Sequence, residues 1–361
     1  MKRRELKSKN IFLDTSVFEK NNILEGTKLK ILLKNAEDGW INLYSNEIII
    51  QEVKARIEKR ILESKSCIKK FLKENEVPIR IFRNSDTAEW LATLRKGIDY
   101  DLEVSKLCQK IDKIVENTPI TLIPYDTVDI KSIFDKYFKE EPPFKEGLKK
   151  SEFPDAFVLA SIEQWCKGGI LQKMVIISSD KDWLSYKSSY IIPVEDIETV
   201  LKFVAESKES MEDRITFTDR LFDKNLDTVK QLIDKTLNEN DLYFEARDDS
   251  EIYQYKVSNI TVTGLSLMDI EEKYAEYYVE ISFSITADIS FEDYDNAYYD
   301  KETGEYLGLE TIHTTIEREE LFTKLILKIN YSVEDISDFN LSIISVNDNE
   351  PIDIERDSIY C

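Results

Sequence analysis

Up to about residue 205 the chain repeats one pattern: a short apolar run, a polar turn, then a stretch in which apolar residues recur every three or four positions. The short runs are IFL at 11–13, WINLY at 40–44, PIRIF at 78–82, ITLIP at 120–124, MVIIS at 174–178 and YIIPV at 190–194. Short apolar runs bounded by turns predict buried strands. Between them, Ile49, Val53, Ile57, Ile61, Ile68 and Leu72 lie mostly four apart, which gives one apolar face to a long helix from Asn46 to Leu72. Further helices are expected from Thr87 to Gly97, from Asp101 to Glu116 and, after the Pro-bearing loop EEPPFKEGLKK, from Pro154 to Cys166. Strands alternating with helices predict an α/β domain whose mainly parallel sheet is covered on both faces.

The pattern then changes. A helix from Asp219 to Leu237 leads into Tyr- and Thr-rich alternating segments: YQYKVSNITVTGLSL, EYYVEISFSITADISF, ETIHTTI and LFTKLILKINYSV, with a turn at KETGEYLG. Alternation with period two predicts an antiparallel sheet, so this half reads as a β-rich α+β domain. Charge shifts at the same place. Residues 1–205 hold 35 Lys+Arg against 33 Asp+Glu, whereas the remainder holds 14 against 38, which accounts for nearly all of the formal net charge of -22. The expected division is therefore a domain at 1–205 and an acidic domain at 206–361. No internal repeat or low-complexity segment interrupts either half.

Composition excludes several classes of chemistry. No apolar run approaches the ~20 residues that span a bilayer, so a cytoplasmic protein without a membrane partner is expected. Cys67, Cys108, Cys166 and Cys361 are scattered, without a C-x-x-C, and suggest neither a disulfide framework nor a zinc site. His313, the lone histidine, lies in the strand-like ETIHTTI, far from any candidate site, which argues against histidine-based acid–base or nucleophilic catalysis. An enzyme of this composition must work with carboxylates or a metal.

Two apolar runs end on charge. Asp14 follows IFL directly, in NIFLDTSVF, and Asp180 follows MVII by two residues, in MVIISSDKDW. In a parallel sheet the carboxyl ends of the strands open onto the functional crevice, where both acids can be placed. An Asp after a strand can equally cap a helix or a turn, and for each residue alone both readings stand. Glu52, in EIIIQEVKARI, borders the apolar face of the long helix, and Asp155, in KSEFPDAFVLASI, lies in the first turn of a helix just after Pro154. Asp182 adds a further acid after MVIIS, and Glu47 competes with Glu52.

Taken together, the apolar strand ending in Asp-Thr-Ser, the Glu of the following long helix, the Pro-Asp-Ala helix start and the strand ending in Ser-Asp-Lys-Asp-Trp resemble the PIN-like domain family of metal-dependent nucleases, particularly a prokaryotic PIN-like group. The resemblance covers roughly residues 9–200. It implies a three-layer PIN-like sandwich in which Asp14, Glu52, Asp155 and Asp180 are catalytic acids and, with Asp182, metal ligands. It also implies hydrolysis of phosphodiester bonds, most often in single-stranded RNA, leaving a 5′-phosphate and a 3′-hydroxyl. The chemistry is consistent with that. Two negative charges ~4 Å apart repel by about 4 kcal/mol at an effective dielectric near 20, and Mg²⁺ or Mn²⁺ suits an all-oxygen site.

A nucleic-acid partner needs cations. Residues 54–73 carry eight Lys/Arg against two Glu, beginning just after Glu52, so Lys54 and Arg56 are candidates for phosphate contacts, as are Lys145, Lys149 and Lys150 ahead of Asp155. The acidic second domain offers no basic groove and is expected to bind a protein, self-associate or restrain the first. Three other readings compete. One is an inactive PIN-like binding module, and another a nuclease for single-stranded DNA. The third is a phosphatase of the haloacid dehalogenase type, whose motif wants a second Asp where Ser16 stands.

Overall fold

The computed structural model describes residues 7–21, 23, 26–75, 79, 81, 82, 85, 87, 89, 97–126, 128–144, 152–169, 172–208, 211–239, 244–246, 250–294, 296–300, 305–332 and 338–354. The chain forms two compact units, residues 6–199 and 200–361.

In the first unit the elements run β1 (Asn10–Leu13), α1 (Thr15–Lys20), α2 (Thr27–Glu37), β2 (Asn42–Asn46), α3 (Glu47–Glu74), α4 (Tyr100–Asn117), β3 (Ile120–Ile123), α5 (Ile130–Lys139), α6 (Phe153–Gly168), β4 (Met174–Ile177), α7 (Lys181–Ser185), β5 (Ile191–Val194) and α8 (Ile197–Ser207), the last of which continues into the second unit. The five strands pair in parallel in the order β3-β2-β1-β4-β5. From β1 the chain builds outward to β3, then returns to the other side of β1 for β4 and β5. With right-handed crossovers this reversal puts helices on both faces of the sheet and opens a crevice beyond the carboxyl ends of β1 and β4. Ile11, Phe12 and Leu13 of β1 and the four apolar residues of β4 are buried. Each such side chain stabilises by about 1.5–3 kcal/mol, so these two strands are the least free to shift.

Asn46 links three elements at the end of β2. Its Oδ1 caps α3 by accepting from Ile48 N at 2.8 Å, while its Nδ2 donates to Ile123 O of β3 at 2.8 Å and to Ser161 Oγ of α6 at 3.3 Å. A buried amide with both ends satisfied thus fixes where α3 begins and how α6 lies against it.

One sequence expectation in this unit changes. The described residues of PIRIF, Ile79, Ile81 and Phe82, lie in 3-10 turns rather than in a strand, and Ile81 and Phe82 are exposed. A β-branched run signals a strand only where a neighbour supplies the other half of the ladder. The helix expected from Thr87 to Gly97 lies largely outside the described residues, as do Lys145, Lys149 and Lys150.

The second unit carries α9 (Glu212–Lys224) and α10 (Leu226–Asn238), then β6 (Phe244–Glu245), β7 (Ser250–Ile270), β8 (Tyr274–Glu292), β9 (Tyr298–Asp300), β10 (Glu305–Leu307), β11 (Thr311–Tyr331), β12 (Phe339–Val346) and β13 (Ile352–Asp353). The single helix expected up to Leu237 is two helices that meet at Asn225, whose side chain donates to Leu221 O. ETIHTTI and LFTKLILKINYSV contribute to one strand, β11, which ends at Tyr331 and whose register shifts between Arg318 and Leu321 at a left-handed Glu320. The main sheet is antiparallel in the order β12-β11-β8-β7. In β8, Tyr277, Val279, Ile281, Phe283, Ile285 and Ala287 are buried, while Glu280, Thr286 and Asp288 are exposed. Val229, Ile233 and Leu237, four apart on α10, join them in one core. Among the described residues no helix is long and apolar enough to cross a membrane.

Candidate active site

Because β1 and β4 are neighbours in register, with Leu13 opposite Ile177, the residues that follow each strand emerge side by side. Asp14 N donates to Ile177 O at 3.4 Å, and the Asp14 side chain turns to meet both loops. Its Oδ2 accepts from Ser178 Oγ at 2.8 Å, from Ser16 Oγ at 2.8 Å and from Ser16 N at 3.4 Å. Ser16 Oγ in turn accepts from Ser179 N, and Ser178 Oγ from Asp180 N, each at 3.1 Å. The serines of D-T-S and S-S-D therefore fasten the two loops to one carboxylate. Asp180 closes the array by capping α7, its Oδ1 accepting from Asp182 N at 2.6 Å.

Two helices bring the remaining acids. Thr15 Oγ1, on α1, donates to Glu52 Oε2 at 2.9 Å, and Arg56, one turn beyond Glu52 on α3, donates from Nη2 to Glu52 Oε1 at 2.7 Å. Helices of a parallel sheet run against the strands, so the start of α6 lies at the carboxyl edge and delivers Asp155 from its third position. Trp183, buried against Phe12 with ring centroids 6.2 Å apart, lines the same cleft as Asp155.

These side chains line a cleft of about 290 Å³ formed by Asp14, Thr15, Ser16, Glu19, Glu52, Arg56, Asp155, Ser179, Asp180 and Trp183. Five carboxylates face one cation among the described lining residues. Burial and, at Asp155, the neighbouring acids show in protonation. Burial raises the Asp14 carboxyl above its ordinary range, although the hydroxyls of Ser178 and Ser16 oppose the shift. Asp155 is pushed up to about 7, first by burial and then by the charges of Asp14, Glu152 and Glu52, against the hydrogen bond from Trp183. Carboxylates that resist ionisation in a shared cleft mark a site prepared for a positive charge.

The four candidate acids Asp14, Glu52, Asp155 and Asp180 all line the cleft, while Asp182 and Glu47 do not. Glu47 is exposed at the first position of α3. Lys54, a candidate phosphate contact, is bound instead to Asp112 Oδ1 of α4 at 2.5 Å. Arg56 lines the cleft but bridges two carboxylates, Glu52 and Glu19. Glu19 is the acid that sequence reasoning missed. It lies four residues after Thr15 on α1, and that spacing is the signal that could have placed it on the same helix face.

The donor set offers only hard oxygens, and its negative charge exceeds its cations, so its chemistry fits Mg²⁺ or Mn²⁺. Among the described residues, however, no group of three or more acids, cysteines or histidines is gathered as a metal site. Three of the acids are engaged otherwise: Asp14 and Asp180 cap helices, which joins the two readings the sequence left open, and both oxygens of Glu52 have donors.

No protein of curated function and no solved structure matches the chain. Residues 11–183, the span from β1 to Trp183 that holds every acid of the cleft, match the PIN domain family, whose members are generally nucleases that use divalent metals, and the first unit is a PIN-like domain.

Proposed function

We propose that this protein is a metal-dependent nuclease that hydrolyses phosphodiester bonds, with single-stranded RNA as the favoured substrate. The observation that supports this reading is the cleft itself, in which five carboxylates meet one arginine at the switch point of a PIN-like sheet. Asp14, Glu52, Asp155 and Asp180 are the residues that would hold Mg²⁺ or Mn²⁺, with Asp182 in reserve at the next position but one. When bound, the ion would polarise a phosphate oxygen and balance the acids. The remaining roles belong to the chain. Ser16 and Ser178 hold Asp14 in one orientation, and Thr15 does the same for Glu52.

The decisive assay offers purified protein labelled single-stranded RNA, single-stranded DNA and duplexes, with Mn²⁺, Mg²⁺ or EDTA. Cleavage that needs a divalent ion and leaves 5′-phosphate and 3′-hydroxyl ends is expected, whereas full cleavage in EDTA would refute the mechanism. The second reading, an inactive binding module, draws on the engagement of Glu52 by Arg56 and on the absence of a gathered metal cluster among the described residues. In the same assay it predicts binding without cleavage. We assign residues 1–205 to the nuclease. To the acidic residues 206–361 we assign a protein partner or self-association rather than nucleic acid, because they carry 38 Asp+Glu against 14 Lys+Arg. A fragment ending near residue 205 is then expected to bind nucleic acid at low salt at least as well as the full chain.

A further inference from the structure

Helices α1 and α3 face one another across the mouth of the cleft as two ladders. On α1, Thr15 and Glu19 are four apart, and on α3, Glu52, Arg56 and Arg60 are four and four apart, so each set shares a helix face. The rungs are Thr15 to Glu52 at 2.9 Å, Arg56 to Glu52 at 2.7 Å, Arg56 to Glu19 at 2.8 Å and Arg60 to Glu19 at 3.4 Å. Glu19 and Arg56 line the cleft with the catalytic candidates, while Arg60 does not.

Resting on the nuclease reading above, we propose that Arg56 is an exchangeable counter-ion with Glu19 as its positioning residue. Without a bound cation Arg56 neutralises Glu52. When a divalent cation claims Glu52, Arg56 lets go, stays tethered to Glu19 and turns its freed donors to a substrate phosphate.

Three features carry this. A cation approaching Glu52 meets a neutral hydroxyl on Oε2, which can remain, and a guanidinium on Oε1, which repels it and must leave. Arg56 already holds a second carboxylate through a different nitrogen, Nη1, so leaving Glu52 does not release it to solvent. A guanidinium has five donors in a fixed fork, enough to keep one carboxylate while meeting a phosphate. Such an exchange links the two ligands: the cation vacates a phosphate-binding group, so cation and nucleic acid bind better together than apart.

The test measures binding to the full-length protein. Mn²⁺ affinity without nucleic acid is read by calorimetry for wild type, Arg56→Gln and Arg60→Gln. Each substitution removes one positive charge from the ladder, but only Arg56 competes for Glu52. Arg56→Gln is expected to tighten Mn²⁺ binding by about fivefold or more, the lower end of site-to-site coupling, and Arg60→Gln to leave it near wild type. Affinity for a cleavage-resistant phosphorothioate single strand is then measured with Ca²⁺ and with EDTA. Arg56→Gln and Glu19→Gln should both weaken binding in Ca²⁺ and change it little in EDTA. Glu19→Gln is the sharper case, since removing a negative charge would by simple electrostatics tighten the hold on an anion. Equal Mn²⁺ shifts in Arg56→Gln and Arg60→Gln, or tighter strand binding in Glu19→Gln, would overturn the exchange and leave the nuclease reading standing. No Mn²⁺ binding in wild type or either variant would overturn both.

Discussion

The two units of this chain each bury an aspartate, and they treat it in opposite ways. In the second, Asp269 is 1% exposed and fully answered: Lys208 Nζ lies 2.8 Å from Oδ1, and Tyr274 donates its hydroxyl to Oδ2 at 2.9 Å. Lys208, itself 1% exposed, also donates to Ile270 O and lies 3.6 Å from Glu271. In the first, Asp14 is 6% exposed and has hydroxyls and a backbone N–H as partners, with Asp155 in the same cleft and one arginine spent on two other acids. A paired buried charge belongs to the architecture, whereas a buried charge given only neutral donors stands ready for a cation from outside.

The largest effect expected from this contrast comes from neutralising each acid. Asp269→Asn leaves Lys208 buried without its nearest counter-charge and should destabilise the protein by roughly 3–5 kcal/mol in denaturant titrations, with or without metal. Asp14→Asn and Glu52→Gln should leave the EDTA-treated protein as stable as wild type or more so, yet reduce cleavage by at least about 100-fold, the upper end of what a lost outer-shell partner costs a metal site. Equal destabilisation by Asp14→Asn and Asp269→Asn would erase the distinction.

The next effect is on pH. Burial, with the neighbouring carboxylates, pushes Asp155 from the ordinary 3.8 up to about 7 in the folded cleft. Folding therefore favours its protonated form, so its contribution is fully present below the unfolded value and is lost as pH rises through the window from 3.8 to about 7, at on the order of 1 kcal/mol per pH unit. In EDTA, the stability of wild type relative to Asp155→Asn should fall as pH rises from 4 to 7. A flat difference would mean that the acid is already balanced.

A smaller loss is expected at Asn46, where the buried group is neutral and fully bonded. Asn46→Ala should cost about 1–3 kcal/mol by removing a cap and two further hydrogen bonds, and it should lower cleavage because α3 and α6 carry Glu52 and Asp155. The smallest is at Lys54, whose pair with Asp112 is partly exposed at 22% and 46%. Lys54→Gln should cost less than about 1 kcal/mol and leave nucleic-acid affinity unchanged. A reduced salt dependence of binding would return Lys54 to the phosphates.

Much of the first unit was legible because its signals are local. IFL and MVII are apolar runs closed by polar turns, and the four-residue spacing from Ile49 to Ile57 exposes the buried face of α3. That Asp14, Glu52, Asp155 and Asp180 would line one cleft followed from strand order and a family resemblance, since no single acid announces itself. What stayed hidden depends on partners remote in sequence. Lys54 reads as a free cation until Asp112 of α4 arrives beside it, and Arg56 as a phosphate contact until Glu19 does. PIRIF has strand composition, yet its described residues Ile79, Ile81 and Phe82 take up 3-10 turns. In the second unit, the union of ETIHTTI with LFTKLILKINYSV turned on Glu320 adopting a left-handed conformation that its residue type does not advertise.

The double duty of Asp14 has a practical consequence. Its side chain caps α1 through Ser16 N, and asparagine caps a helix about as well as aspartate does. An Asp14→Asn protein would keep the loops after β1 and β4 in place while lacking the charge, an inert bait of native shape. Cross-linked to nucleic acid inside living cells and recovered intact, it would carry its own target with it, and sequencing the captured strand would tell RNA from DNA without any prior guess at the substrate.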